Sequence, residues 1–239
     1  SSAGPARCQY HVIPVKTHRF FILACRFPDW WLQAPEQHRR PIGVGDALAG
    51  LPNVIANSGV EGTEYTDCHS DYERLMRNDV FWKREGMTKP HITNHLPMKH
   101  RECTLKRFAL LQPGESLKTL FERYTGEERE KLQAERILPK KMFIKRNYRL
   151  KSDEPSPTVT SHCLDEFVHP QFDRALTVRE CARLQSFPDS YEFVGGPYIV
   201  PHIDRTVQDK YEQIGDAVPP LLAYAWGEQI NKLFEINEK

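Results

Sequence analysis

No apolar run in this 239-residue chain exceeds six side chains. A membrane-crossing helix needs about 20, so a transmembrane span is excluded. The N-terminus also lacks a charged stretch leading into an apolar one, so no secretory leader is read there. Cysteine is sparse and scattered, at positions 8, 25, 68, 103, 163 and 181, with no CxxC pair. That excludes a disulfide framework and points to a reducing compartment, cytoplasmic, or nuclear if the source is eukaryotic. His91, His95, His100 and Cys103 lie near one another without the spacing of a zinc site, so no metal is expected. Glycine (13) is outnumbered by proline (18), which favours ordered connections over flexible linkers. Net charge is only +1. A basic average is therefore missing, and any nucleic-acid contact must come from a local basic face.

What the chain does have is patterning. With 39% hydrophobic residues it can bury one large domain or two small ones. RFFILACR, residues 19–26, is apolar on both faces and predicts a strand buried inside a parallel sheet. Residues 42–51 predict a short helical turn stopped by Pro52. Residues 53–100 are polar and irregular, with one modest helix near 72–77. A helix is expected from Ser116, and another after Thr125. There the Thr125–Glu128 spacing suits a capping box, and the helix is read through to Pro139. MFIK, YRL, TVTS and EFV between residues 142 and 168 read as short strands. Thr177 and Glu180 give a second capping box. The last helix follows Pro219 and Pro220, with Leu222, Trp226, Ile230 and Leu233 on one stripe.

From residue 136 to 151 there are seven basic residues and no acidic one. Such a run is either a solvated face or a phosphate-binding one.

Two stretches go beyond generic structure. RALTVRECARLQSFPDSYEF (174–193) and YEQIGDAVPPLLAYAWGEQI (211–230) resemble motifs IX and X of the DNA cytosine-5 methyltransferases. YHVIPVKTHRFFILA (10–24) resembles motif VIII, although Val15 and Thr17 stand where the family has Gln and Arg. DEPSPTVTSHCLDEFVHP resembles the segment closing the target-recognition region. The resemblance implies an α/β fold in two parts: part of a Rossmann-like S-adenosylmethionine-dependent methyltransferase domain, plus a smaller mixed α+β target-recognition domain. The boundaries expected are 1–35 for the catalytic strand region with motif VIII and 36–205 for the recognition domain including motif IX. Motif X and the closing helix take 206–239.

The resemblance also implies roles. Arg19 matches the arginine that contacts the carbonyl of a flipped cytosine, where a fixed guanidinium stabilises negative charge. Gly215, Asp216, Ala217 and Val218 match the loop that closes on S-adenosylmethionine, with Asp216 either touching that cofactor or capping the last helix. Thr158, Thr160 and His162 are candidate DNA contacts, as are Lys140, Lys141, Lys145, Arg146 and Arg149 in the basic run. Motif IX, with Arg179 and Glu180, is read as structural. No Pro-Cys dipeptide, Glu-Asn-Val tripeptide or Phe-x-Gly-x-Gly loop occurs. The catalytic nucleophile and the ring acid of motifs I to VI are therefore missing here, and the chain reads as the C-terminal half of such an enzyme, inactive alone. Its expected partners are duplex DNA and an N-terminal catalytic half, on a separate chain or in a missing segment. Two alternatives stay open: a non-catalytic sequence-specific DNA-binding module, and an RNA cytosine methyltransferase fragment.

Overall fold

A computed structural model of the chain describes residues 6–7, 14–16, 18–19, 34–35, 41–67, 70–77, 81–82, 92–141, 143–144, 146–199 and 207–237. The predicted strand at 20–25 lies outside them. So do Lys145, His91 and the side chain of Arg19.

One short helix organises the larger core. Helix α7 (Val178–Leu184) has all seven of its residues buried. It packs against α1 (Val44–Leu48) and α8 (Lys210–Asp216), and α1 in turn meets α2 (Asp71–Met76). Val178, Cys181, Ala182 and Leu184 supply the apolar contacts. The predicted capping box at its start is formed: Thr177 accepts from the Glu180 amide, and the Glu180 carboxylate accepts from the Thr177 amide.

The charged residues of this segment are buried because each finds fixed partners. Arg174 makes a two-pronged pair with Glu180, at 2.8 and 2.7 Å. Arg183 does the same with Asp189, at 2.7 and 2.6 Å, and also donates to the carbonyls of Ala47 and Ala49. Arg179 donates to the carbonyls of Thr93, Pro188 and Tyr191. Fork-shaped guanidinium groups thus tie residues 47–54, 93 and 188–191 to one helix. Removing one partner from a pair of this kind costs about 3–5 kcal/mol, because the other charge stays buried.

A second, smaller cluster joins α3 (Glu102–Leu110) and α4 (Leu117–Arg123) through Phe108, Leu111, Leu117, Leu120, Leu138 and Val168. Helix α5 (Gly126–Ala134) buries none of its residues. The capping box expected at Thr125 is not formed, since the Thr125 side chain makes no cap bond. The helix also stops before Pro139. Arg136 turns at φ +60, and the amides of Ile137 and Leu138 fold back onto the Leu132 carbonyl. Burying Ile137 and Leu138 outweighs one further helical turn.

The strands are two residues long. β1 (Ala6–Arg7) pairs antiparallel with β3 (His18–Arg19). β2 (Val15–Lys16) runs parallel to β5 (Ser156–Pro157), and β4 (Tyr148–Arg149) runs parallel to β6 (Phe167–Val168). YRL and EFV therefore yield strands, while TVTS does not; pairing falls one step earlier, on Ser156 and Pro157. Phe143 and Ile144 of MFIK lie in an exposed turn. Helix α6 (Cys163–Glu166) follows the threonine segment, and α9 (Pro220–Asn237) closes the chain. Among the described residues no helix is long and apolar enough to cross a membrane.

Candidate functional site

Three segments far apart in sequence meet at one place. The first is residues 14–16, the second 156–162, the third the end of α8 with the turn into α9. Parallel pairing of β2 with β5 brings the first two together, and the Ser156 amide donates to the Pro14 carbonyl at 2.8 Å. Thr158 then donates its hydroxyl hydrogen to the Lys16 carbonyl at 2.7 Å. The third segment rests on the second without any side chain between. A Cβ on Gly215 would lie 2.1 Å from the Ser161 nitrogen and 2.2 Å from the Thr160 carbonyl carbon. Only glycine permits that approach.

Gln185 donates to the Ile214 carbonyl, and the Leu221 amide donates to Ser186. The turn between α8 and α9 is thus fixed from the α7 side. Tyr211 is fully buried and donates to the Leu176 carbonyl; burial pushes its phenol well above the usual range. Asp216 does not cap the last helix. It is the final residue of α8, exposed, and accepts from Gln208 at 3.0 Å. A carboxylate at a helix C-terminus opposes the helix dipole, so it gains nothing from its position and is open to a cationic partner. Val218 is exposed beside it.

The other predicted residues divide. Arg19 sits on β3, three residues after Lys16, opposite Ala6. Thr160 donates to Glu166 and accepts from the His162 amide, so it shapes the turn into α6, while His162 is exposed. Lys140, Lys141 and Arg146 are exposed.

Arg149 is a correction. It is buried at 5% exposure. Its guanidinium donates to the carbonyls of His169, Phe172 and Phe108 and pairs with Asp173. A side chain so engaged holds β4 in place and has no reach to a phosphate. The basic run looked uniform in sequence, but strand pairing turns this one member inward.

The sequence reading missed further cations near the basic run. Lys99, Arg101 and Arg107, beside and within α3, line a cleft together with Arg136 and Arg146 of the basic run. Their signal was the KHREC-TLKR stretch ahead of and inside α3, where the sequence reading named no element. His95, by contrast, is structural. Its ring nitrogens contact Thr177 Oγ1 and the Pro52 carbonyl, and burial keeps it below its usual range.

Comparison with known proteins completes the description. The family model for C-5 cytosine-specific DNA methylases matches residues 18–232. The chain is 35% identical over 191 residues to the type II methyltransferase M.DdeI of Desulfomicrobium norvegicum, covering 80% of this chain and 43% of that protein. It is 34% identical over 152 residues to the type II methyltransferase M.AquIB of a Picosynechococcus strain, covering 62% of this chain and 96% of that protein. A prophage-encoded protein of Escherichia coli, assigned as a DNA modification methyltransferase, has the same fold. Its TM-score is 0.63 at 22% identity, over 98% of this chain and 60% of that one. The chain spans half the length, or less, of the longer curated relatives it matches.

Proposed function

Because the chain belongs to the C-5 cytosine-specific DNA methylase family, we propose that it supplies the DNA grip and the closing face of the methyl-donor site of such an enzyme. The reaction is methyl transfer to carbon 5 of a cytosine flipped from duplex DNA. The observation that carries this reading is the convergence just described: residues 14–16, the threonine segment and Gly215 form one junction.

S-adenosylmethionine, when bound, supplies an electrophilic methyl group. The residues present fit its methionine end. Gly215 seats the end of α8 on the Thr160–Ser161 backbone, and Asp216 next to it offers an exposed carboxylate with a neutral amide as neighbour. In this reading Asp216 holds the donor's ammonium group, and Gly215, Ala217 and Val218 shape the wall around it. Arg19 binds the cytosine carbonyl and stabilises charge as the ring is attacked. Thr158 and Thr160 act mainly by position, because their hydroxyl hydrogens are committed to Lys16 and Glu166. Lys140, Lys141, Lys145, Arg146 and His162 meet DNA phosphates.

The thiolate that adds to carbon 6 has no candidate in a Pro-Cys setting within these 239 residues. The reading assigns it to other sequence, in the same polypeptide or in a partner chain that carries motifs I to VI. Residues 1–35 and 206–239 then side with that catalytic part, and 36–205 form the recognition part.

The test is transfer of labelled methyl to duplex DNA, with this chain alone and joined to or mixed with a segment bearing the missing motifs. Label only in the combination supports the reading. Arg19→Ala in that combination is expected to abolish label while duplex binding persists. Sequence-specific binding with no label from any combination indicates the non-catalytic module, and label on RNA alone the third alternative.

A further inference from the structure

Away from the junction, a cleft of about 710 Å³ opens between the start of α3 and the basic run. Lys99, Arg101, Arg107, Arg136 and Arg146 line it, together with Phe143. Among the described lining residues the one carboxylate is Asp165, so five cations face a single anion. Asp165 is paired with Arg146 at 3.5 Å, both about half-exposed. Such a pair is weak, and an incoming anion can displace it. His100 adds no fixed charge, because burial holds its ring below the usual range and it accepts from the Ala175 amide.

Arg107 is the unusual member. It is part-buried, and its three nitrogens donate to neutral oxygens only: the carbonyls of Ile137 and Arg136 and the Asn147 side chain. Its charge is therefore held in place but not cancelled by a carboxylate. A cleft with one sign of charge and low-dielectric walls focuses its field on whatever enters. Also in the lining, the Arg146 guanidinium lies 4.8 Å from the centre of the Phe143 ring, which is 44% exposed. The aromatic face is thus presented beside the charge.

We infer that this cleft seats one sugar–phosphate ridge of the target DNA duplex. Lys99, Arg101, Arg136 and Arg146 neutralise it, and Arg107, bonded to the Arg136 and Ile137 carbonyls, is the residue that positions α3 against the basic run. A concave basic cleft fits the convex backbone of a duplex, which solvated lysines on a flat face do not. The inference rests on the DNA reading above and adds the α3 side of the interface.

The test is duplex DNA binding as a function of salt, comparing the chain with the double variant Arg101→Ala/Arg146→Ala. A charge-matched control, Arg74→Ala/Lys232→Ala, accompanies it. Loss of two phosphate contacts is expected to lower the salt slope by roughly 1.8, at about 0.9 per contact, and the control to leave it unchanged. Arg101→Lys/Arg146→Lys is expected to restore the slope, which separates lost charge from lost fold. Tight duplex binding with the same slope in both double variants overturns the cleft and leaves the DNA reading standing. Absence of duplex binding by the unaltered chain at low salt overturns both. A slope change confined to RNA duplexes overturns the assignment to DNA.

Discussion

At Gly215 a single hydrogen in place of a methyl group determines whether two segments can touch. An added Cβ would press on the backbone of Thr160 and Ser161, and backbone cannot yield as a side-chain end can. Gly215→Ala is expected to lower stability by about 3 kcal/mol and, in the proposed assembly, to weaken donor binding, measured by denaturant midpoint and by donor KM. A Cβ added at Gly227, inside α9, would meet nothing within 4 Å. Gly227→Ala should therefore act in the opposite direction, raising stability by up to about 1 kcal/mol through helix propensity. Two glycines that look alike in sequence thus predict opposite signs. The same holds for the arginines of the basic run: Arg146 is exposed and Arg149 buried, and no local pattern in the run distinguishes them.

At the scale of the element, α7 illustrates what capping and charge do when a helix is wholly buried. Thr177→Ala removes a formed cap bond and should cost about 1 kcal/mol, whereas Thr125→Ala, where no cap bond exists, should cost little. Thermal or denaturant unfolding of the two variants compares them directly. The capping-box spacing is present in sequence at both sites, but the box forms only at Thr177, where the helix that follows is buried.

The α7 surroundings also set a pH dependence. His169 accepts from the Gln171 and Phe172 amides and lies 3.7 Å from Glu180, and burial depresses its ring to about 4. Arg174 and Arg149 disfavour its protonation too, while Glu180 favours it. The unfolded chain protonates this histidine near pH 6.5 and the folded chain does not. Stability is therefore full above that pH and falls as pH drops toward 4, by on the order of 3 kcal/mol for this group. His95, also depressed by burial, adds to the same limb. Glu180 and Asp189 are held below the usual carboxylate range by Arg174 and Arg183. Their contribution is present above about pH 4.5 and is lost below it. Denaturant midpoints from pH 7 to 3 should fall in two stages, and His169→Asn should shrink only the first.

Across the whole molecule, the last helix shows what the described residues do not cover. Leu222 is buried, but Tyr224 and Ile230 further along α9 are 47% and 37% exposed. In the proposed assembly the catalytic part covers this end of the helix. Ile230→Asp should leave the stability of the chain within about 0.5 kcal/mol of its original value yet weaken association with the catalytic part, read by sedimentation or by loss of methyl transfer on mixing. Equal association by both forms would sink that assignment.

The amino-acid sequence by itself determined the family, the helix starts at Ser116, Thr177 and Pro220, and the segments from which a site could be drawn. Those features depend on residues within one turn or one motif of each other, where spacing alone sets the chemistry. Tertiary structure decided which segments meet, which arginine of the basic run is turned inward, and that α3 brings further cations into one cleft with that run. Such facts depend on long-range pairing, β2 with β5 and α8 on the threonine segment, where contact is set by packing between residues more than 100 positions apart in the case of Lys16 and Thr158. No local periodicity records a partner at that distance.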